Sequence, residues 1–127
     1  MRRLEAGQVI PEWSLPITPT TIVSTAIATR DWQDVHHDRD VAQGAGSKDI
    51  FMNILTTNGL VEKYVVDWAG HDAELKGIAI RLGAPAHPYD TLSFSGEVVD
   101  DADGVLTIDV VGKVSLGDHV TAQVVLA

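Results

Sequence analysis

Residues 30 to 40 read RDWQDVHHDRD and set Asp31 five positions before His36, with His37 and Asp38 adjoining. A carboxylate and an imidazole brought to one water can share it, acting as base and acid in proton transfer. The same stretch admits two other readings. His36 and Asp38 form H-x-D, two ligands of a 2-His-1-carboxylate metal site for which His87 or His119 could supply the third. Alternatively, Asp, His and Arg here only solvate a loop. Spacing alone does not choose among the three.

The elements that must position these groups are read from the periodicity of apolar residues. Prolines at 11, 16 and 19 make residues 1 to 20 an extended arm, expected to enter a strand at about TTIVSTAIAT, so that Asp31 would lie where this strand leaves the sheet. In NILTTNGLVEKYVVDW, Ile54, Val61, Val65 and Trp68 lie at helical spacing and leave Thr57, Glu62 and Lys63 for another face. That predicts one long helix from Asn53 to Trp68, with Gly70 as its stop and Gly59 implying close packing against a neighbouring backbone.

Everything after the helix reads as strand. KGIAIRLGAP is one, and TLSFSGEVV alternates Leu92, Phe94, Gly96 and Val98 against polar positions. An Asp103-Gly104 hairpin signal precedes Leu106, Ile108, Val110 and Val114, and a turn at Gly117-Asp118 precedes Val120, Ala122, Val124 and Leu126. One long helix with four or five antiparallel strands makes an α+β domain in which the sheet wraps the helix. A metal site of the H-x-D kind needs a double-sheet barrel, which ranks that reading lower. His37 is assigned to the surface or to a supporting position, His71 to a solvated loop, and His119 to the polar, solvent-facing side of the last strand.

Composition bounds the function. The 127 residues suit one domain over 1–127, and 45% apolar residues suffice for a core without staples. A net charge of −9 argues against a sequence-independent nucleic-acid surface, so any anionic ligand needs a local patch. Absence of cysteine removes disulfide frameworks and zinc ribbons. The opening Met1-Arg2-Arg3 and LEAGQVIPEW is too broken for a signal segment, and no apolar run approaches a membrane span, so a soluble, cytoplasmic protein without membrane contact is expected.

Two motifs carry a family resemblance. RDWQDVHHDRDVAQGAGSKDIFMNILTTNGL resembles the hydratase motif of the MaoC-like, (R)-specific enoyl-CoA hydratases, usually G-D-x-N-P-I-H-x-D, an alanine, then P-I-x-H-G-M-L-T. Asp31 falls on its aspartate, His36 on its histidine, Asp38 on the next aspartate and Ala42 on the alanine. RLGAPAHPYDTL resembles the later R-x-x-x-P-V-x-P-G-D-T-L segment through Arg81, Pro85, Pro88, Asp90, Thr91 and Leu92. The resemblance covers about residues 20 to 125 and implies a single hotdog fold, an antiparallel sheet wrapped around one long central helix. Departures mark a divergent branch: Arg30 and Tyr89 stand at glycine positions, Gln33-Asp34 replace Asn-Pro, and Met52-Asn53 replace His-Gly. Within the family the pattern is most similar to the small MaoC-like subunits of steroid side-chain enoyl-CoA hydratases from cholesterol-degrading bacteria.

The resemblance implies that Asp31 and His36 hold one water and deliver its oxygen to the β-carbon of an α,β-unsaturated thioester. It further implies that the backbone N–H of Asn53, at a helix N-terminus, stabilises the enolate-like oxygen; Asn53 is equally well read as a plain N-cap. An acyl-CoA substrate, no cofactor, and a second MaoC-like hotdog chain in a hetero-oligomer, with a heterotetramer among its forms, are implied in the same way. Lys48, Lys63 or Arg81, or basic residues of the partner, would face the CoA phosphates. The alternatives are a homodimeric (R)-specific fatty enoyl-CoA hydratase, a hotdog thioesterase using Glu62 on the helix, and a non-catalytic subunit, against which the retained Asp/His pair argues.

Overall fold

A computed structural model describes residues 4–127; Met1-Arg2-Arg3, and with them the start of the expected arm, lie outside the described residues. Five antiparallel strands, β1 (Val9–Pro16), β2 (Leu75–Leu82), β3 (Thr91–Asp100), β4 (Leu106–Val114) and β5 (Gly117–Leu126), form one sheet in the order β1-β3-β4-β5-β2. The last three strands form an antiparallel meander. β1 and β2 close its two edges, β2 pairing with β5 although β3 and β4 intervene in sequence. Three helices, α1 (Pro19–Ala28), α2 (Arg39–Gly44) and α3 (Ile54–Ala69), complete the fold.

TTIVSTAIAT is helix, not strand, and the strand lies earlier, in the proline-marked arm. Pro19 opens α1, where its missing N–H costs nothing, and the Thr18 hydroxyl accepts from the Thr21 N–H as N-cap. Ile22 and Ala26, four apart, are both fully buried. The β-branched residues favoured a strand by propensity, and the cap together with tertiary burial overrode it. Pro11 and Pro16 are tolerated in β1 because it is an edge strand with a bulge between Ile10 and Trp13.

α3 runs for 16 residues, about 24 Å at 1.5 Å per residue, against the sheet. Its buried stripe is Thr57, Val61, Tyr64, Val65 and Ala69, so two sequence assignments change. Thr57 is fully buried, while Ile54 is 50% exposed. Gly59 is exposed and a methyl there would meet nothing within 4 Å, so the close packing expected of it is not made within this chain. Gly70 does end the helix, with φ 111° and its N–H returned to the Val66 carbonyl. Leu92, Phe94, Val98, Leu106, Ile108, Val110, Val120, Val124 and Leu126 form the facing sheet surface, as their alternation requires.

The β3–β4 connection carries Asp103 and Gly104 both at positive φ, the conformation that the Asp-Gly pair signals. In the β4–β5 hairpin Val114 pairs with Gly117, so the turn is Ser115-Leu116 rather than Gly117-Asp118. Gly112 pairs with Val120 and Lys113 with Asp118, leaving His119 as the extra residue of a bulge. The bulge turns His119 inward to 2% exposure, which overturns its assignment to solvent. Among the described residues no helix is long and apolar enough to cross a membrane.

Candidate active site

Asp31 is placed by the end of α1. The Arg30 N–H returns to Ile27 O at 2.9 Å and the Asp31 N–H to Ala26 O at 2.8 Å, a Schellman closure with Arg30 at φ 56°. The left-handed position normally given to glycine is thus kept by an arginine, at a cost of about 1–2 kcal/mol. Tyr89 keeps the same handedness at φ 69°. Both positions at which the resembled motifs carry glycine thus hold a positive φ, the conformation glycine adopts most readily. Asp31 therefore follows a helix, not the exit of a strand.

His36 ends a 3-10 turn, Asp34–His36, and is buried. Its Nδ1 lies 2.6 Å from the Phe51 carbonyl and its ring meets the Phe51 ring edge-on at 4.9 Å. A carbonyl only accepts, so Nδ1 carries a hydrogen, and whenever the ring is neutral Nε2 is its free acceptor. Nε2 stands 3.4 Å from Asp31 Oδ2. Asp38, the next motif position, accepts from the N–H groups of Asp40 and Val41 and caps α2.

Asn53 sits immediately before α3 and joins the pair from the other side. Its carbonyl oxygen accepts from the N–H and the hydroxyl of Thr56, making it the N-cap. Its amide donates to Thr29 Oγ1 at 2.8 Å and to Asp31 Oδ2 at 3.2 Å. Burial pushes the Asp31 carboxyl up, but the Gln33 N–H, the Asn53 amide and the neighbouring His36 and His37 together hold it below the ordinary value of 3.8. Asp31, His36 and Asn53 are thus brought together, with the first turn of α3 and its positive dipole end beside them.

The pair opens on a pocket of ≈ 340 Å³ lined by Asp31, Gln33, His36, Phe51, Met52, Ile54, Leu82, Gly83, Ala84, Pro85 and His119. Most of that wall is apolar, which suits a hydrophobic acyl group beside a polar reacting end. His119 and the amide of Asn53 are the participants that the sequence did not reveal. Strict alternation cannot show a bulge, and an N-cap pattern does not say where the free half of an amide points.

The remaining candidates lie elsewhere. His37 Nε2 is 2.7 Å from the Asp31 carbonyl, a supporting contact. His87 is held by Ser47 at 3.1 Å, and His71 is exposed beside Asp67. Among the described residues no three His, Asp or Glu side chains are placed to hold a metal ion. Lys63 is engaged with Asp67 at 2.7 Å on the far half of α3, and Lys48 and Arg39 flank a separate surface pocket with His87. Glu62 lies nine residues beyond Asn53, about 13 Å along the helix axis from the Asp31 region.

Comparison with known proteins gives a consistent result. The MaoC-like domain family matches residues 5–120. The chain is 61% identical over 121 residues, 95% of its own length and 94% of the relative's, to the 3-oxo-4,17-pregnadiene-20-carboxyl-CoA hydratase beta subunit of Mycobacterium tuberculosis. It is similar to a chain in the crystal structure of the ChsH1-ChsH2 complex from Mycobacterium tuberculosis, with TM-score 0.95, 61% identity and 96% of each chain covered. It also matches the (R)-hydratase from A. caviae involved in PHA biosynthesis, with TM-score 0.88 over 99% of this chain and 98% of that one; at 17% identity this shows the shared hotdog fold.

Proposed function

The chain belongs to the MaoC-like domain family, and from that premise we propose that it is the subunit of a heteromeric enoyl-CoA hydratase that carries the water-activating pair. The reaction adds water across the α,β double bond of an acyl-CoA thioester. The acyl group is a steroid side chain of the kind met in cholesterol degradation, a reading supported by 61% identity to a pregnadiene-carboxyl-CoA hydratase subunit. A cytoplasmic location is part of the same proposal, supported by the CoA thioester class of substrate.

The observation that carries the mechanism is the 3.4 Å approach of Asp31 Oδ2 and His36 Nε2, which in the neutral ring are two acceptors for one water. A water between them donates one O–H to each, which turns its lone pair outward toward the β-carbon. As the C–O bond forms, one acceptor takes the proton, and the α-carbon receives a proton from the pair. Electron density passes through the conjugated system to the thioester oxygen. The backbone N–H of Asn53, at the positive end of α3, is suited to receive that oxygen. Asn53 stands where glycine is usual, but the donor is a main-chain group and survives the replacement.

A second MaoC-like hotdog chain completes the assembly. The relative is a beta subunit and the similar solved structure is of a two-protein complex. The present chain leaves the β2 edge unpaired within itself, with Ile54 and Leu55 of α3 about half exposed. The thioesterase alternative calls for a carboxylate on the central helix near the thioester, and Glu62 lies too far along α3 from Asn53 to serve. The test is the co-expressed complex acting on a steroid enoyl-CoA: hydration bleaches the absorbance of the conjugated thioester without releasing thiol. Release of free CoA in step with bleaching would identify a thioesterase instead.

A further inference from the structure

Outside the Asp31–His36 pair, one buried imidazole ties three elements together at the same pocket. His119 Nδ1 lies 2.7 Å from the Ala84 carbonyl and Nε2 lies 2.8 Å from the Thr57 hydroxyl. The carbonyl can only accept, so Nδ1 holds the hydrogen, Nε2 of the neutral ring accepts, and the Thr57 hydroxyl must donate to it. Burial favours this neutral ring by making His119 harder to protonate than an ordinary histidine, against the smaller opposing effect of its bond to Ala84. The orientation of the Thr57 hydroxyl is therefore fixed by a bond made on the other side of the ring.

The groups so joined close a circuit around the pocket. Thr57 lies one turn into α3 and returns its N–H to the Asn53 carbonyl at 3.2 Å. His119 carries the link from Thr57 to Ala84. The chain then continues through Pro85 to Ala86, whose carbonyl accepts from the Met52 N–H at 3.0 Å, and Met52 precedes Asn53. The same wall is fastened to the bulge by Gly83 N–H to His119 O and Ala84 N–H to Asp118 O, each 2.8 Å. Gly83 permits this approach, since a Cβ there would sit 2.4 Å from the Asp118 carbonyl oxygen. Asn53, where the circuit closes, donates to Asp31.

We propose that His119 is a positioning residue: through Thr57 and Ala84 it sets the distance between the apolar pocket wall and the Asp31–His36 pair. This rests on the hydratase reading. A wall that relaxes by about 1 Å leaves the acyl chain bound but its β-carbon misplaced, so the loss falls on kcat rather than on KM, by about 10- to 100-fold.

The experiment uses the co-expressed complex and the enoyl-CoA bleaching assay, with thermal melts and gel filtration to establish folding and assembly. Thr57→Val is isosteric and removes only the hydroxyl; it is expected to lower kcat about tenfold or more with KM within about threefold. Thr57→Ser restores the donor and should return kcat to within about threefold of wild type. His119→Phe should lose at least as much as Thr57→Val, and the double variant should be no worse than His119→Phe alone, because both open the same circuit. Wild-type kcat in Thr57→Val, additive losses in the double variant, or equal losses in Thr57→Ser and Thr57→Val would overturn the proposal. Should His119→Phe fail to assemble, the Thr57 pair decides the question. Asp31→Asn measured alongside reports on the hydratase reading itself, so failure of that reading is seen separately from failure of this one.

Discussion

Asn53 donates its side-chain amide to Asp31 Oδ2 at 3.2 Å while its carbonyl caps α3, so one residue couples the orientation of the carboxylate to the start of the long helix. Aspartate is as good an N-cap as asparagine. Asn53→Asp should therefore keep the helix cap while losing the donor and burying a second carboxylate beside Asp31, which lowers the melting temperature at neutral pH. Both changes raise the Asp31 pKa. The acid limb of kcat/KM should move to higher pH than in wild type, and a pH profile with an unmoved limb would contradict the coupling.

This coupling marks the limit of what the sequence discloses. The helix start at Asn53 and the alternating faces of β3, β4 and β5 are legible because each depends on spacing along a single element, whereas Asp31 and His36, whose spacing alone admits three readings, are singled out by the family resemblance. The α1 segment reads as strand because Thr, Ile and Val favour strands locally, and the Thr18 cap together with burial of Ile22 and Ala26 makes it helix. Alternation puts His119 on the solvent face because it cannot register the bulge between Gly112 and Lys113, which breaks the parity on which any strand face is assigned. Thr57 looked polar and therefore exposed, whereas its hydroxyl is satisfied by a residue 62 positions away. Contacts made across elements leave no periodic trace.

Two buried histidines give the protein a pH-dependent stability with a definite sign. His119 and His87 are both held below the ordinary 6.5, by burial in each case, with Lys48 adding to the effect on His87. A histidine harder to protonate folded than unfolded contributes fully above 6.5, and that contribution is lost as pH falls and the unfolded chain binds the proton first. Asp31 and Asp90 titrate below 3.8 and act only in a more acidic window. The melting temperature should therefore fall between pH 7 and pH 5, and His119→Asn should flatten that slope. A melting temperature that rises on acidification would show the reverse linkage.

Gly59 lies on the exposed side of α3, along which Ile54 and Leu55 are 50% and 52% exposed. A helix-interior glycine costs about 0.5–1 kcal/mol relative to alanine, and nothing in the chain itself prevents the methyl. The close packing it implies is expected across the interface with the second chain. Gly59→Ala should leave the subunit folded while shifting dissociation of the complex to about tenfold higher concentration, equivalent to about 1.4 kcal/mol. Sedimentation of the complex over a dilution series measures this, and an unshifted midpoint would remove Gly59 from the interface.

The most direct measurement of the water-activating pair compares Asp31→Asn and His36→Ala with wild type in the co-expressed complex, following the absorbance of a conjugated steroid enoyl-CoA. General acid and base groups contribute about 10²–10⁴-fold. Each variant should assemble normally and bleach the substrate slower by a factor in that range, with no thiol released by any of the three proteins. Near-normal bleaching by both variants would contradict the assignment of Asp31 and His36 as the groups that activate water.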